Sequence, residues 1–322
     1  MKVATRTLLL AIAACLVVCT GPAPAAQQPA EPPFTLKQIG PNVWAAIDNR
    51  AAKMPAGSNA GFVIGDDGVI VVDSLASRDA AAQLLAAIRS RTTQPVKFVV
   101  NTHYHIDHVA GDAVFADAGA TIVAHRNVHD WVRTENLKFF ATGIKPEQRA
   151  LVEAFRQPSV VYDTALNMYV GSREVQVRFF PGHTGGDSVV LIPDAKAAFG
   201  GDLFWCNTLP NLIDASTQPW IETLDRLTKS APDYTFVPGH GEVGKAQDVT
   251  AFRDYLMTLR KLVADAHAQG KTGDAAAAAV LPALTEKYSS WDFFSYFAQR
   301  NIADTDAELR GTKKIPQPSS NR

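Results

Sequence analysis

The chain has 322 residues, 47% hydrophobic and 20% charged, enough apolar matter for one large core or two modest ones and too much for a disordered or fibrous protein. Thirty-one basic residues against 32 acidic ones leave a net charge of -1, so there is no overall basic field for phosphate backbones or anionic lipid. A nucleic-acid partner is disfavoured on that ground.

At the N-terminus, Lys2 and Arg6 precede the apolar run "LLLAIAACLVVC", and small residues follow, with Ala23-Pro24-Ala25 as a cleavage signal. Residues 1–25 read as a secretory signal peptide, which predicts a periplasmic protein. The apolar run falls short of the roughly 20 residues that a spanning helix needs, so no stable membrane span is expected. Cys15 in "IAAC" would suit a lipoprotein signal, but the apolar "LVVC" behind it would make an odd mature start. Cleavage after Ala25 removes Cys15 and Cys19 and leaves Cys206 as the only thiol, so stability must come from packing or metal rather than a disulfide. Residues 26–33 are a proline-rich tether, and the folded domain is expected over 34–270.

From there "NVWAAID", "NAGFVIG" and "GVIVVDS" are strand-like runs broken by Gly, Asn and Asp-Asp-Gly, predicting consecutive antiparallel strands. The intervening "DNRAAKMPAGSN" reads either as a flap over an apolar substrate or as an ordinary hairpin loop. Residues 77–91 form a helix by the spacing of Ala81, Leu84, Leu85 and Ile88. The strand "VKFVV", the loop "NTHYHIDHVAGD", a helix and the strand "ATIVAH" follow. The second half is predicted to keep the βαβ habit, with strands "VQVRFF", "SVVLIP", "AAFGG" and "YTFVPG" and a helix over 248–269. Residues 271–322 are expected to be a helical extension.

The loop after "VKFVV" places His103, His105, Asp107 and His108 within six positions. Three further ends present His183 in "PGHTGGD", Asp202 in "GGD" and His240 in "PGHG", each read as lying just past the carboxyl end of a strand. Side chains carried on a rigid sheet can be held to a fraction of an ångström, and neighbouring glycines allow close approach. Five histidines and two aspartates without thiolate suit zinc in a catalytic setting. Seven ligands are too many for one zinc. Two zinc ions bridged by a carboxylate and a hydroxide would use them all. His103 and His105, two apart, can face one metal while Asp107 and His108 reach toward its neighbour.

These motifs, HxHxDH followed by "GHTGGD", "GGD" and "PGHG" in order, resemble the metallo-β-lactamase superfamily. The resemblance implies an α/β fold, the αββα sandwich, with the extension added. It also implies that His103, His105 and His183 hold one zinc, that Asp107, His108 and His240 hold a second, that Asp202 bridges them, and that Asp73 buttresses the metal loop. The segment "GGDLFWCNTLPNLIDASTQPW" resembles zinc β-lactamases, with Asn211 at the place of an asparagine that binds the lactam. Three departures stand out: Asp202 replaces a cysteine ligand, His108 is additional, and Trp205 stands where many of those enzymes carry a lysine for the substrate carboxylate.

The implied function is a zinc-dependent hydrolase that opens the β-lactam ring of a small cyclic substrate by attack of a zinc-bound hydroxide, with Asp107 orienting the hydroxide and Asn211 polarising the carbonyl. A lactonase, esterase or thioesterase of the same fold is the alternative enzyme, and a non-catalytic periplasmic metal-binding accessory protein the other. His125, His129 and His267 read as structural histidines and Cys206 as a small buried apolar residue. Trp131, Phe139 and Phe140 read either as cleft wall or as core.

Overall fold

The computed structural model describes residues 31–49, 57–140 and 143–318. The expected signal peptide, Cys15, Cys19 and most of the "DNRAAKMPAGSN" loop lie outside the described residues. The described residues from Pro32 onward form one compact unit.

Strands β1 (Phe34–Gly40), β2 (Val43–Asp48), β3 (Ala60–Ile64) and β4 (Val69–Val72) make an antiparallel meander. Helix α1 (Arg78–Arg89) starts where the Ser77 hydroxyl accepts from the Ala80 amide, and it buries Ala81, Leu84, Leu85 and Ile88 as their spacing requires. Next come β5 (Val96–Val100), the short helices α2 (Ile106–Val109) and α3 (Asp112–Asp117), β6 (Thr121–His125), α4 (Val128–Thr134), α5 (Pro146–Glu153) and β7 (Val160–Tyr162). From β4 to β7 the pairing is parallel, which completes a seven-stranded sheet in sequence order.

The second sheet holds β8 (Ala165–Val170), β9 (Arg173–Phe179), β10 (Ser188–Ile192), β11 (Ala197–Trp205) and β12 (Thr235–His240), in the order β12-β11-β10-β9-β8. Here the expected βαβ habit holds only once, where α6 (Thr217–Ser230) carries the chain from β11 to a parallel β12. Strands β8 to β11 are an antiparallel meander instead. The reason is loop length: the connections between them are too short for a crossover and suffice for hairpins. Strand β8 escaped the sequence reading although Leu166, Met168 and Val170 alternate with the exposed Ala165, Asn167 and Tyr169, because apolar Ala165 and Tyr169 on the solvent side blur the alternation.

The sheets face each other across a core of β-branched side chains, with Val43, Val63, Ile70 and Val100 from one and Val175, Val177, Val190 and Phe199 from the other. Helices α1 and α3 cover the outside of the first sheet through Leu84, Ile88 and Phe115. Outside the second sheet lie α6 and α7 (Ala246–Ala268), followed by α8 (Asp274–Tyr288) and α9 (Phe294–Leu309). The result is an αββα sandwich with further C-terminal helices. These last helices are not an appendage, because Val280, Leu284, Phe297 and Ile302 sit in the same buried cluster as Trp205, Trp220 and Phe252.

Gly61 on β3 marks a close approach of the sheets. A Cβ there would lie 2.1 Å from Cε1 of Phe199 and 2.6 Å from the Trp44 carbonyl. Gly61→Ala should therefore cost about 1–3 kcal/mol by overpacking. Thermal unfolding of the metal-saturated protein measures it, and an unchanged melting temperature would contradict the close contact.

Candidate metal centre

The site forms where both sheets end on the same side. Leaving β4, the chain puts Asp73 in the left-handed region, φ 57°, with its amide bonded to the Val100 carbonyl. That turn aims the carboxylate at the next loop. Asp73 Oδ1 accepts from the Thr102 amide at 2.7 Å, and Oδ2 accepts from the Thr102 hydroxyl and from His108 Nδ1, both at 2.8 Å. A carboxylate can only accept, so Nδ1 of His108 carries the proton and Nε2 is turned to the centre. Asp73 thus fastens the histidine loop to β4.

His105 is held the same way by a residue the sequence reading missed. Its Nε2 donates to Asp214 Oδ2 at 3.0 Å, and Asp214 also accepts from the Tyr104 hydroxyl at 2.5 Å and from Lys138 Nζ at 2.6 Å. Burial pushes the Asp214 carboxyl up, but His105 and Lys138 overcome it and hold the group well below the usual carboxylate range. The signal available in the sequence was the aspartate in "PNLIDA". Lys138 had none, because only the fold brings it there.

Asp202 joins the histidines into one cluster. Its Oδ2 lies 3.2 Å from His183 Nε2 and 3.7 Å from His103 Nε2, and its Oδ1 lies 3.1 Å from His108 Nε2 and 3.4 Å from His240 Nε2. Asp107 Oδ2 is 3.3 Å from His240 Nε2 and 3.6 Å from His108 Nε2. Potential ligand atoms accordingly gather in two sets, each within 4.8 Å: His103, His105, His183 and Asp202, and then Asp107, His108 and His240. All seven residues singled out in the sequence therefore meet at one place. Asp202 departs from expectation in one respect, since it lies inside β11 rather than past its end, where the register against β12 shifts after Gly201. His240 is likewise the last residue of β12. Gly239 is required beside them, because a Cβ there would fall 1.8 Å from Asp202 Oδ1.

A cation fits this donor set. His103 Nε2, His108 Nε2 and Asp202 Oδ1 are buried with no hydrogen-bond partner, an arrangement that is costly unless something else satisfies them. The charges say the same. Burial alone would neutralise His108 and His240, yet Asp202, with Asp107 and Asp73 at His108, draws protons onto both, and His240 rises to about 9. Burial lowers His103 and His105. The carboxylates thus demand positive charge that a metal ion would supply in place of protons.

A cleft of about 650 Å³ opens over Asp107, Asp202 and His240. Phe139 and Phe140 line it, and the Phe139 ring stands edge-on to His105 at 4.9 Å between centroids. Trp131 is instead buried in a cluster with Tyr104 and Val132. Trp205 stacks on His240 at 4.0 Å and donates from Nε1 to the Asp202 carbonyl, so it braces two of the seven residues while forming cleft wall. Asn211 lines the cleft too; its carboxamide oxygen accepts from the Ile213 amide at 3.1 Å, which leaves Nδ2 to donate into the cleft.

The other conspicuous residues stand apart. His125 stacks on Phe179 at 4.2 Å, His129 lies 2.8 Å from Asp130, and His267 bonds Asp306 at 2.7 Å. Cys206 is buried, and burial pushes its thiol up to about 12.

The sequence model of the Metallo-beta-lactamase superfamily matches residues 54–240, and the chain belongs to that superfamily. It is similar to a metallo-beta-lactamase type 2 from Bacillus sp. (strain 170), 24% identical over 218 residues that cover 66% of this chain and 77% of the relative. A hydroxyacylglutathione hydrolase from Brucella anthropi is 26% identical over 183 residues, covering 56% of this chain and 61% of that protein. Among solved structures, a metallo-beta-lactamase from Pontibacter korlensis superposes with a TM-score of 0.59 at 24% identity, covering 70% of this chain and 99% of its own, a likeness of fold. The chain is a hydrolase of this superfamily with a cluster of metal-binding residues.

Removing the brace should loosen the centre. Asp73→Ala leaves His108 Nδ1 and the Thr102 amide unpaired, so metal affinity should fall about 10–100-fold. Competition against a chromophoric chelator reads this, and an affinity within twofold of wild type would show that Asp73 does not orient the loop.

Proposed function

We propose that this protein is an exported, dinuclear zinc hydrolase whose substrates are cyclic amides, β-lactams first among them. One observation carries the reading: the two oxygens of Asp202 divide between two histidine sets at the floor of an open cleft. His103, His105 and His183 would hold one ion and Asp107, His108 and His240 the other, with Asp202 between them. Zinc, when bound, supplies Lewis acidity for the carbonyl and makes water nucleophilic near neutral pH.

The chain's own residues do the rest. Burial alone would push Asp107 up, but His108 and His240 overcome it and hold it at about 2, so it is ionised at neutral pH and faces the cleft. It can orient the attacking water and carry its proton to the leaving nitrogen, while the hydroxyl portion stays on the acyl carbon. Asn211 Nδ2 is placed to donate to the carbonyl oxygen as charge gathers there. Phe139, Phe140, Trp205 and Ile213 wall the substrate from solvent.

A second reading, hydrolysis of a lactone, ester or thioester, is favoured by Asp202 standing in place of a cysteine, by the additional His108, and by the hydroxyacylglutathione hydrolase among the relatives. Steady-state kinetics on a penicillin, a cephalosporin, a carbapenem and an aliphatic lactone separate the two. Zinc-loaded protein should carry two equivalents of zinc and open the β-lactams. Asp202→Ala should abolish turnover of any substrate, and Asn211→Ala should cost about tenfold to a hundredfold by removing one of several donors. Turnover of the lactone with none of the three drugs would reject the β-lactam reading and retain the hydrolase.

Export is part of the same proposal, supported by Lys2, Arg6, the short apolar run and Ala23-Pro24-Ala25. N-terminal sequencing of the native periplasmic product should begin near residue 26. A chain starting at a lipidated Cys15, or one retaining Met1, would overturn it.

A further inference from the structure

Part of the wall of the cleft comes from α9, through Tyr296, Phe297 and Arg300. These residues lie beyond the stretch 54–240 that the superfamily's sequence model matches. Two cations line the cleft among the described residues, Lys138 and Arg300, and they differ in kind. Lys138 is neutralised in place, with Nζ 2.6 Å from Asp214 Oδ1 and 3.6 Å from Glu135 Oε2. Arg300 is exposed, and among the described residues no carboxylate lies within ion-pair distance of it. Asp304, one turn further along α9, feels its charge through space. Meanwhile the guanidinium rests over the Tyr296 ring, 4.8 Å from the centroid.

A planar guanidinium laid on an aromatic face has already given up much of its rotamer freedom, and it keeps its N–H fork for a carboxylate. In a cleft that Phe140 and Phe297 also line, such a fork would read one anionic group on an apolar body. Trp205 offers no cation, and Lys138 is spoken for by Asp214, so this duty falls to one residue.

We propose that Arg300 binds the carboxylate of the substrate, which makes the preferred substrates acyl compounds with an apolar body and one carboxylate in addition to the scissile bond. The position of that bond rests on the hydrolase reading above; the anion site does not. Arg300 is a specificity-determining residue, and α9 is the element that brings it.

The test is calorimetric titration of the zinc-loaded full chain with 3-phenylpropionate and with the neutral 3-phenylpropionamide. Wild type should bind the carboxylate at least tenfold more tightly than the amide. Arg300→Ala should erase about tenfold of that preference, and Arg300→Lys should restore part of it, because a point charge replaces the fork. An unchanged preference in Arg300→Ala would place the carboxylate on the metal ions and overturn the proposal. So would a wild type with no preference, or an equal loss for the amide, which would mean that Arg300 only packs on Tyr296. Turnover distinguishes the two readings: a protein that hydrolyses nothing yet shows the Arg300-dependent preference loses the hydrolase reading alone, whereas one that hydrolyses β-lactams with an Arg300-independent preference loses this one alone.

Discussion

A single carboxylate holds this site together. Asp202 is buried among four histidines, and burial alone would neutralise it; instead His108, His240, His103 and His183 hold it well below the ordinary carboxylate range. Such a charge is tolerable only where positive charge is returned to it from close by. Everything around it serves that condition. Gly239 leaves room for its oxygen, Trp205 bonds its carbonyl, and the break in register after Gly201 turns the side chain toward the cluster.

Two further carboxylates act at one remove. Asp73 and Asp214 each grip a histidine by the nitrogen that does not face the centre, and each is itself tied to a different part of the chain. Asp73 connects the histidine loop to the first sheet through Thr102. Asp214 connects it to the segment at Lys138 and Phe139. His105 and His108 are consequently fixed in tautomer and direction by these carboxylates. Preorganisation of this kind is what a site needs if it is to bind metal and still keep an open face toward substrate.

The seven candidate ligands were legible because metal chemistry restricts residue types so strongly: histidine and aspartate clustered at glycine-flanked strand ends leave few other readings. Strands β2 to β6 of the first sheet were legible from their apolar runs and breakers, and α1 and α7 from their period, whereas β1 and β7 were not read. Lys138 and Arg300 escaped because their roles rest on contacts between residues far apart in sequence, and a lone cation carries no local mark of them. The antiparallel run β8 to β11 was read as crossovers although its connections are of hairpin length. Asp214 is the intermediate case, visible in a quoted motif and given meaning only by its distance to His105. Placing Asp202 past a strand end failed because a glycine pair inside β11 looked like a terminus and is a shift in register instead.

Helix α9 packs into the same core as Trp205 and yet lines the mouth of the cleft. The residues gathered to hold metal among the described residues all precede it in the chain, between His103 and His240, while this wall is drawn from Tyr296, Phe297 and Arg300. This part of the wall is therefore inherited on a stretch of polypeptide separate from the reactive centre. Mutations in the last helix can re-tailor what enters without disturbing the ligands, so descendants of such a chain could diverge in diet while conserving their chemistry.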